Sequence, residues 1–224
     1  MNGSILIIVP ARGGTKRLPG KNIKFLGGKS LLGWTAECLS KAKLLEHAII
    51  SSDDDQILQE AARLRLRIPF VRPTHLALDS TSSFDVVSHS LHWYRDQNGY
   101  FPEFTMLLQP TSPFRSSQNI EDAINLLSSR PDCNSVLSVK KLDVKSKFVF
   151  KCCKNSGVLD PIMPDNSSAA FVPNGAIYLA RTEALFEQMS LFPAPILPKI
   201  MSEIESLDID TGEDWQIAQS LVLL

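Results

Sequence analysis

Cysteine is scarce in this chain of 224 residues, and no Cys-x-x-Cys pair occurs. Zinc sites built on cysteine need such pairs, so a structural zinc is not expected. The N-terminus opens on a strand pattern and predicts no signal peptide. We therefore expect reduced structural thiols in a cytoplasmic protein. The cysteines are Cys38, Cys133, Cys152 and Cys153.

The chain also lacks an excess of either charge and any long apolar run. The net charge of −1 argues against a nucleic-acid partner. No apolar run approaches the roughly 20 residues of a membrane span, so no membrane partner is expected. With 44% hydrophobic and 21% charged residues, the composition is that of a globular protein. We expect a single domain over residues 1–224.

Strand and helix patterns alternate along the chain, which predicts a doubly wound α/β fold with a largely parallel sheet. Ser52 with residues 53–55 predicts a helix N-cap and an acidic first turn. Strands are predicted at residues 5–9, 47–51, 68–71, 105–109, 135–139, 175–180 and 197–201. Helices are predicted at residues 30–45, from 52 through 64, at 81–95, 118–129 and 182–189, and at the C-terminal end.

The periodic pattern weakens over residues 140–170, which carry a lysine cluster, Pro161 and Pro164. This segment predicts an insertion that leaves the main sheet. A solvated charge cluster on a surface hairpin is the alternative interpretation.

A basic, glycine-rich loop follows the first strand. Between Val9 and Asn22 the sequence reads VPARGGTKRLPGKN. Glycines let backbone N–H groups point inward and bind anions, and the surrounding cations suit a polyphosphate. The spacing fits neither a Walker A loop nor GxGxxG. A solvated basic turn is the alternative, but ligands of open α/β sheets bind beyond the carboxyl ends of strands. The cations are Arg12, Lys16, Arg17 and Lys21, among Gly13, Gly14 and Gly20.

Asp208 and Asp210 form the second chemical feature. In an extended segment, residues two apart share a face, roughly 6.5 Å apart at their α-carbons. Two such carboxylates can hold Mg²⁺ together with substrate phosphates. Alternatively, Asp210 caps the last helix. A triphosphate site favours the metal.

The loop PARGGTKRLPGKN resembles the signature loop of the acylneuraminate cytidylyltransferases, which make CMP-sugars from acidic nine-carbon sugars. Further segments resemble that family's motifs, in the same order from Val9 to Thr211. They are Arg72-Pro73 with the following residues to Ser82, Leu107–Arg115, Pro173–Tyr178 and Ser206–Thr211.

The resemblance implies a role for each matched residue. Arg12 and Lys21 would hold phosphates and act in catalysis, with Gly13 in the same nucleotide loop. Asp208 and Asp210 would hold catalytic Mg²⁺. Ala11, Asn22, Arg72 and Ser82 would bind the cytosine nucleotide, and Gln109, Asn174 and Tyr178 the sugar. Taken singly, Gln109 could cap a helix, Arg72 could be an ordinary strand exit, and Tyr178 could be core.

One segment departs from the family. Many members carry an arginine shortly before the Pro-Asn-Gly-Ala-Ile-Tyr segment that meets the sugar acid, whereas residues 163–172 contain none. Lys147 and Arg115 are the candidates to replace it. The resemblance also implies a homodimer, in which residues 140–170 form an arm that brings Lys147 to the neighbouring site.

The reaction implied is CTP plus an acidic nonulosonic sugar, such as N-acetylneuraminate, legionaminate or pseudaminate, giving the CMP-sugar and pyrophosphate. No dedicated general base is expected, because the four histidines lie outside the matched positions. A KDO cytidylyltransferase shares the loop's opening but typically has proline after the lysine, where this chain has Asn22. An inactive nucleotide-binding regulator is the other alternative.

Overall fold

The computed structural model describes residues 4–142, 149–152, 159–162 and 170–223. Six α-helices lie in these ranges. They are α1 (Leu31–Lys41), α2 (Asp55–Arg63), α3 (Ser83–Asn98), α4 (Ser117–Ser128), α5 (Thr182–Glu187) and α6 (Gly212–Val222).

Eight strands form the main sheet, and β2 (Phe25–Leu26) with β3 (Lys29–Ser30) forms a separate small hairpin. The main strands are β1 (Ile5–Pro10), β4 (Ala48–Ser51), β5 (Phe104–Leu107), β6 (Ser135–Lys141), β7 (Val149–Cys152), β8 (Leu159–Ile162), β9 (Ala170–Arg181) and β10 (Ile196–Ile200). Their order is β4-β1-β5-β9-β6-β10-β8-β7. Only β9 and β8 run against the common direction.

Helices cover both faces of the sheet. In β1, Ile7 contributes to one apolar core and Ile8 to another, since successive strand residues point to opposite faces. The first core includes residues of α1, α2 and α4, and the second includes residues of α3 and α5. The predicted doubly wound, largely parallel α/β fold is confirmed.

Helix starts follow the capping residues of the sequence. The side chains of Ser30, Ser82 and Ser116 accept backbone N–H bonds at the starts of α1, α3 and α4. For α2 the cap is Asp54, which accepts from two backbone N–H groups, so the predicted cap at Ser52 is wrong.

The predicted strand at residues 68–71 is absent. One isolated parallel bridge, between Ile49 and Arg67, takes its place. Pro69 has no N–H to donate to a ladder, and Ile68 and Val71 are exposed rather than packed.

Residues 140–170 do not leave the main sheet where the structure describes them. β7 pairs with β8 and with the start of β9, and β8 pairs with β10. β9 is also longer than its predicted counterpart at residues 175–180, and it pairs with β6 back to Phe171.

The loops that follow β1, β4, β5 and β10 emerge at one edge of the sheet, where β9 begins. This convergence follows from the common direction of those strands. In the part of the chain that the structure describes, no helix is long and apolar enough to cross a membrane.

Candidate active site

A cavity of about 1000 Å³ opens at the carboxyl edge of the sheet. Segments far apart in sequence line it, including the basic loop, residues 72–86, the end of β5, the start of β9 and the turn before α6. The residues predicted for the site that line it are Arg12, Lys21, Asn22, Arg72, Ser82, Gln109, Asn174, Tyr178, Asp208 and Asp210.

The basic loop is held in shape by buried polar contacts. The Asn22 side chain, 5% exposed, donates to the carbonyl of Arg12 at 3.1 Å. The Gly13 N–H donates to Asp53 Oδ1 at 3.0 Å. A Cβ on Gly13 would lie 2.9 Å from Asp54 Oδ2 and 3.1 Å from Asp54 Cβ, so the absence of a side chain allows the loop to approach the start of α2 closely.

Asp79 pairs with two cations of the basic loop, one of which, Arg12, was predicted to hold phosphates. Its two carboxylate oxygens lie 2.6 Å from Arg12 Nη2 and 2.6 Å from Lys16 Nζ. Hydrogen bonds from Lys16 and then Arg12 hold the pKa of Asp79 below its ordinary value. A triphosphate at these cations would compete with the Asp79 carboxylate.

We expect Asp79→Asn to tighten the binding of inorganic tripolyphosphate by about 2- to 5-fold, because a weak, exposed carboxylate partner no longer competes for the two cations. Isothermal titration at fixed ionic strength measures this effect. Asp85→Asn is the matched control, since Asp85 is a nearby exposed carboxylate that is not part of the cavity wall. Weaker binding by Asp79→Asn would mean instead that Asp79 orients the two cations.

Lys21 joins the loop to the turn before α6. Its ammonium group donates to Asp210 Oδ1 at 2.6 Å and to the carbonyl of Ile209 at 3.2 Å. The Lys21 side chain is 13% exposed, against 48% for Asp210. The cation is therefore fixed within the cavity wall, while the carboxylate stays accessible.

Asp208 faces the same cavity in a more buried setting. Oδ1 of Asp208 is buried and has no hydrogen-bond partner in the described part of the chain. Burial raises the pKa of Asp208, hydrogen bonding from Thr111 opposes that shift, and the charge of Asp210 adds to it. A carboxylate oxygen without a donor suits a hard cation. Among the described residues, no group of three or more acidic, histidine or cysteine side chains is placed to hold a metal ion.

Gly175 lies against the side chains of Gln109 and Asp208. It has φ of +78°, and a Cβ on it would lie 2.9 Å from Gln109 Oε1 and 3.5 Å from Asp208 Oδ2. Gln109 and Asp208 thus pack over the same backbone position, which only glycine leaves open at that φ.

A family model described as cytidylyltransferase matches residues 6–213 of this chain, a range that includes the basic loop, Asp208 and Asp210. The chain belongs to the cytidylyltransferase family. It is a CTP-dependent nucleotidyltransferase, and the family resemblance drawn from its motifs is confirmed.

Relatives of this cytidylyltransferase act on several sugar acids, according to their names. A CMP-N,N'-diacetyllegionaminic acid synthase of Legionella pneumophila is 31% identical, covering 98% of this chain and 97% of the relative. An N-acylneuraminate cytidylyltransferase of Escherichia coli is 33% identical over 97% of this chain but 52% of the relative, so the chain spans about half of that protein. A pseudaminic acid cytidylyltransferase of Campylobacter jejuni is 25% identical, covering 96% and 95%.

Solved structures share the fold of this cytidylyltransferase. CMP:2-keto-3-deoxy-manno-octonic acid synthetase complexed with CTP superposes with a TM-score of 0.72 at 14% identity, covering 98% of each chain. 4-Diphosphocytidyl-2C-methyl-D-erythritol synthase from Anaerococcus prevotii superposes with a TM-score of 0.62 at 19% identity, covering 99% of each. At these identities the likeness concerns the fold alone.

Arg72 and Ser82 flank the segment that carries Asp79. Arg72 is 4% exposed, and its Nε donates to Ser51 Oγ at 3.0 Å. Burial lowers the pKa of Arg72 to about 10. Ser82 caps α3 through Oγ and also donates to Asp85 at 2.7 Å. Both residues line the cavity of this cytidylyltransferase, but each already has protein partners.

The Asn174 side chain already has protein partners, and the Tyr178 side chain keeps its hydroxyl protonated. The Asn174 amide donates to Ser206 Oγ at 2.9 Å and accepts from Ser138 Oγ and from the backbone of Ala176. Burial, and then the charge of Asp208, raises the pKa of Tyr178 to about 12, so its hydroxyl stays protonated at ordinary pH.

Two expectations from the sequence are wrong. Asp210 does not cap α6, because Thr211 is the N-cap and forms a capping box with Asp214. Arg115 cannot meet the sugar carboxylate, because it is 3% exposed and donates to the carbonyls of Gln109 and Ala176 and to Thr35 Oγ1. It instead ties the end of β5 to β9.

Ala11 and Gly13, which were also predicted for the site, are not part of the described cavity wall. Lys147 lies outside the described residues. Ala11 is 1% exposed and bonds to β4 through its backbone, and Gly13 acts within the loop. Sequence reasoning assigned no role to Asp79, Lys140 or Glu203, all of which line the cavity. Only Asp79 carried a signal, because it lies in a segment that resembles a family motif.

Proposed function

We propose that this cytidylyltransferase transfers CMP from CTP to the anomeric hydroxyl of an acidic nonulosonic sugar and releases pyrophosphate. The observation that carries the proposal is the meeting of Arg12 and Lys21 with Asp208 and Asp210 in one cavity. Relatives named for legionaminic, neuraminic and pseudaminic acids support the substrate class.

In this mechanism the anomeric oxygen attacks the α-phosphorus of CTP in line, and the bond from that phosphorus to the pyrophosphate oxygen breaks. Arg12 and Lys21 stabilise the charge on the phosphate oxygens. Lys21 is preorganised for this task, since two oxygen acceptors fix its position. Gln109, which is half-buried beside Asp208, would orient the sugar, and Tyr178 would offer a neutral hydroxyl.

Mg²⁺ belongs to the same proposal, with Asp208 and Asp210 as its protein ligands. When bound, the ion would neutralise and orient the phosphates and make the attacking hydroxyl more acidic. The free Oδ1 of Asp208 and the accessible carboxylate of Asp210 fit that role. No described histidine lines the cavity.

Pyrophosphate release tests the proposal, with CTP and a panel of N-acetylneuraminate, di-N-acetyllegionaminate, pseudaminate and KDO. Turnover with one of the first three supports it. Turnover with KDO alone would establish the KDO alternative, for which the structural likeness at 14% identity gives no specific support. No turnover with any sugar acid would favour the inactive regulator.

CTP is expected to exceed UTP, ATP and GTP by at least about a hundredfold in kcat/KM, because uracil presents a carbonyl where cytosine presents an amino group. Ala11, Asn22, Arg72 and Ser82 motivate this expectation, since they resemble a cytosine-binding set. The same pyrophosphate assay with each nucleotide and the preferred sugar measures it. Equal rates with CTP and UTP would contradict it.

A homodimer in the cytoplasm is a further part of the proposal. Residues 140–170 would form the arm, with Lys147 reaching the neighbouring site. Sedimentation equilibrium gives the oligomeric state.

A further inference from the structure

Lys140 is a cation of the cavity wall that lies outside the basic loop. It lies in β6, where its partner across the antiparallel ladder is Val172. The adjacent Pro173 also lines the cavity. The Lys140 side chain is 38% exposed, and its Nζ lies 3.7 Å from Glu203 Oε2.

The other cations of the described cavity wall belong to the nucleotide end. Arg12 and Lys16 contact Asp79, and Lys21 contacts Asp210. Arg17 lies in the same loop, and Arg72 is buried against Ser51. In the sheet, β5 and β9 separate β1 from β6, and three strand spacings amount to about 14 Å. Lys140 is therefore the described cation placed on the β6 and β9 side, near Asn174, Gly175 and Tyr178.

We propose that Lys140 binds the carboxylate of the acidic sugar and determines the preference for a charged substrate. This inference rests on the proposed function. The pair with Glu203 is long and exposed, and such pairs are weak, so a substrate carboxylate can replace Glu203 as the partner of Lys140. A charge-assisted hydrogen bond in the cavity is shorter and stronger than that surface pair.

The first test compares Lys140→Met with Lys141→Met. Lys141 is exposed, is not part of the described cavity wall, and as the next strand residue points to the opposite face. Lys140→Met is expected to raise the KM for the sugar about 10- to 100-fold, with the KM for CTP within about twofold of wild type. Lys140→Arg should restore most of the sugar affinity, and Lys141→Met should resemble wild type. Thermal unfolding of each variant verifies that it is folded.

A second test uses ligands that cannot themselves accept CMP. The methyl glycoside of the preferred sugar acid and its carboxamide are compared as inhibitors competing with the sugar. Wild type should prefer the acid by about tenfold or more, and Lys140→Met should bind both alike. Glu203→Gln should lower the sugar KM by about two- to threefold, because the competing carboxylate is gone.

The kinetic results distinguish an error in this inference from an error in the proposed function. If wild type turns over a nonulosonic acid but Lys140→Met keeps both the sugar KM and the preference for the acid, Lys140 is not the carboxylate partner. If wild type releases pyrophosphate with none of the sugar acids, the proposed function itself is wrong.

Discussion

Replacing Lys21 with methionine is expected to lower kcat/KM for CTP by about 10²- to 10³-fold, the usual cost of removing one preorganised group that stabilises charge in the transition state. The Lys21 side chain is 13% exposed and donates to Asp210 and to the carbonyl of Ile209. Its charge is therefore positioned before substrate arrives. Steady-state kinetics with CTP and the preferred sugar measures the loss.

Lys24→Met is the matched control for this change. Lys24 is exposed, lies over the ring of Trp215 at 4.4 Å from its centroid, and is outside the described cavity wall. Its loss should cost at most about 1 kcal/mol of stability and leave the rate nearly unchanged. Comparable rate losses in both variants would mean that the Lys21 effect is a general loss of positive charge or of folding.

Local sequence signals account for most of the fold. The apolar run Ile5–Val9 became the strand β1, and helical periodicity predicted α1, α3 and α4 close to their observed positions. Each of these signals lies within a few neighbouring residues, so it predicts a strand or a helix without knowledge of the tertiary structure.

The strand order could not be read in the same way. β9 lies antiparallel between β5 and β6, although β5 and β6 both precede it in the sequence and are joined to each other through α4. Its apolar pattern is compatible with either direction, because a strand buried on both faces looks alike in parallel and antiparallel sheets. At residues 68–71 the apolar pattern predicted a strand. Pro69 cannot donate a hydrogen bond to a neighbouring strand, and Val71 is exposed rather than packed against the sheet.

The site shows the same division between local and tertiary information. The direction of the strands explains why the loops after β1, β5 and β10 meet, and the sequence predicted this edge. Contacts within the site depend on tertiary structure. Asp79 pairs with Arg12, which lies far from it in the sequence. The buried Arg115 likewise depends on the carbonyls of Gln109 and of the distant Ala176. No short sequence pattern encodes either contact.

Replacing Asp210 with asparagine is expected to lower kcat by at least about a hundredfold while leaving the melting temperature nearly unchanged. The change removes one charge from the proposed Mg²⁺ site, where charge stabilisation is worth several kcal/mol, and it weakens the fixation of Lys21. The fold should survive because Thr211, with Asp214, caps α6. Titration of Mn²⁺ in the presence of CTP should show weaker metal binding in the variant, which separates loss of the metal from loss of the Lys21 contact.

Two controls separate this catalytic role from helix capping. Glu213→Gln makes the same kind of change at an exposed carboxylate in the first turn of α6, outside the described cavity wall, and should leave kcat within about twofold of wild type. Thr211→Ala removes the cap and should cost about 1 kcal/mol of stability with little effect on the rate. Because asparagine caps as well as aspartate does, a capping role would make Asp210→Asn harmless to the enzyme. Near-normal turnover of Asp210→Asn would therefore exclude Asp210 from the metal site.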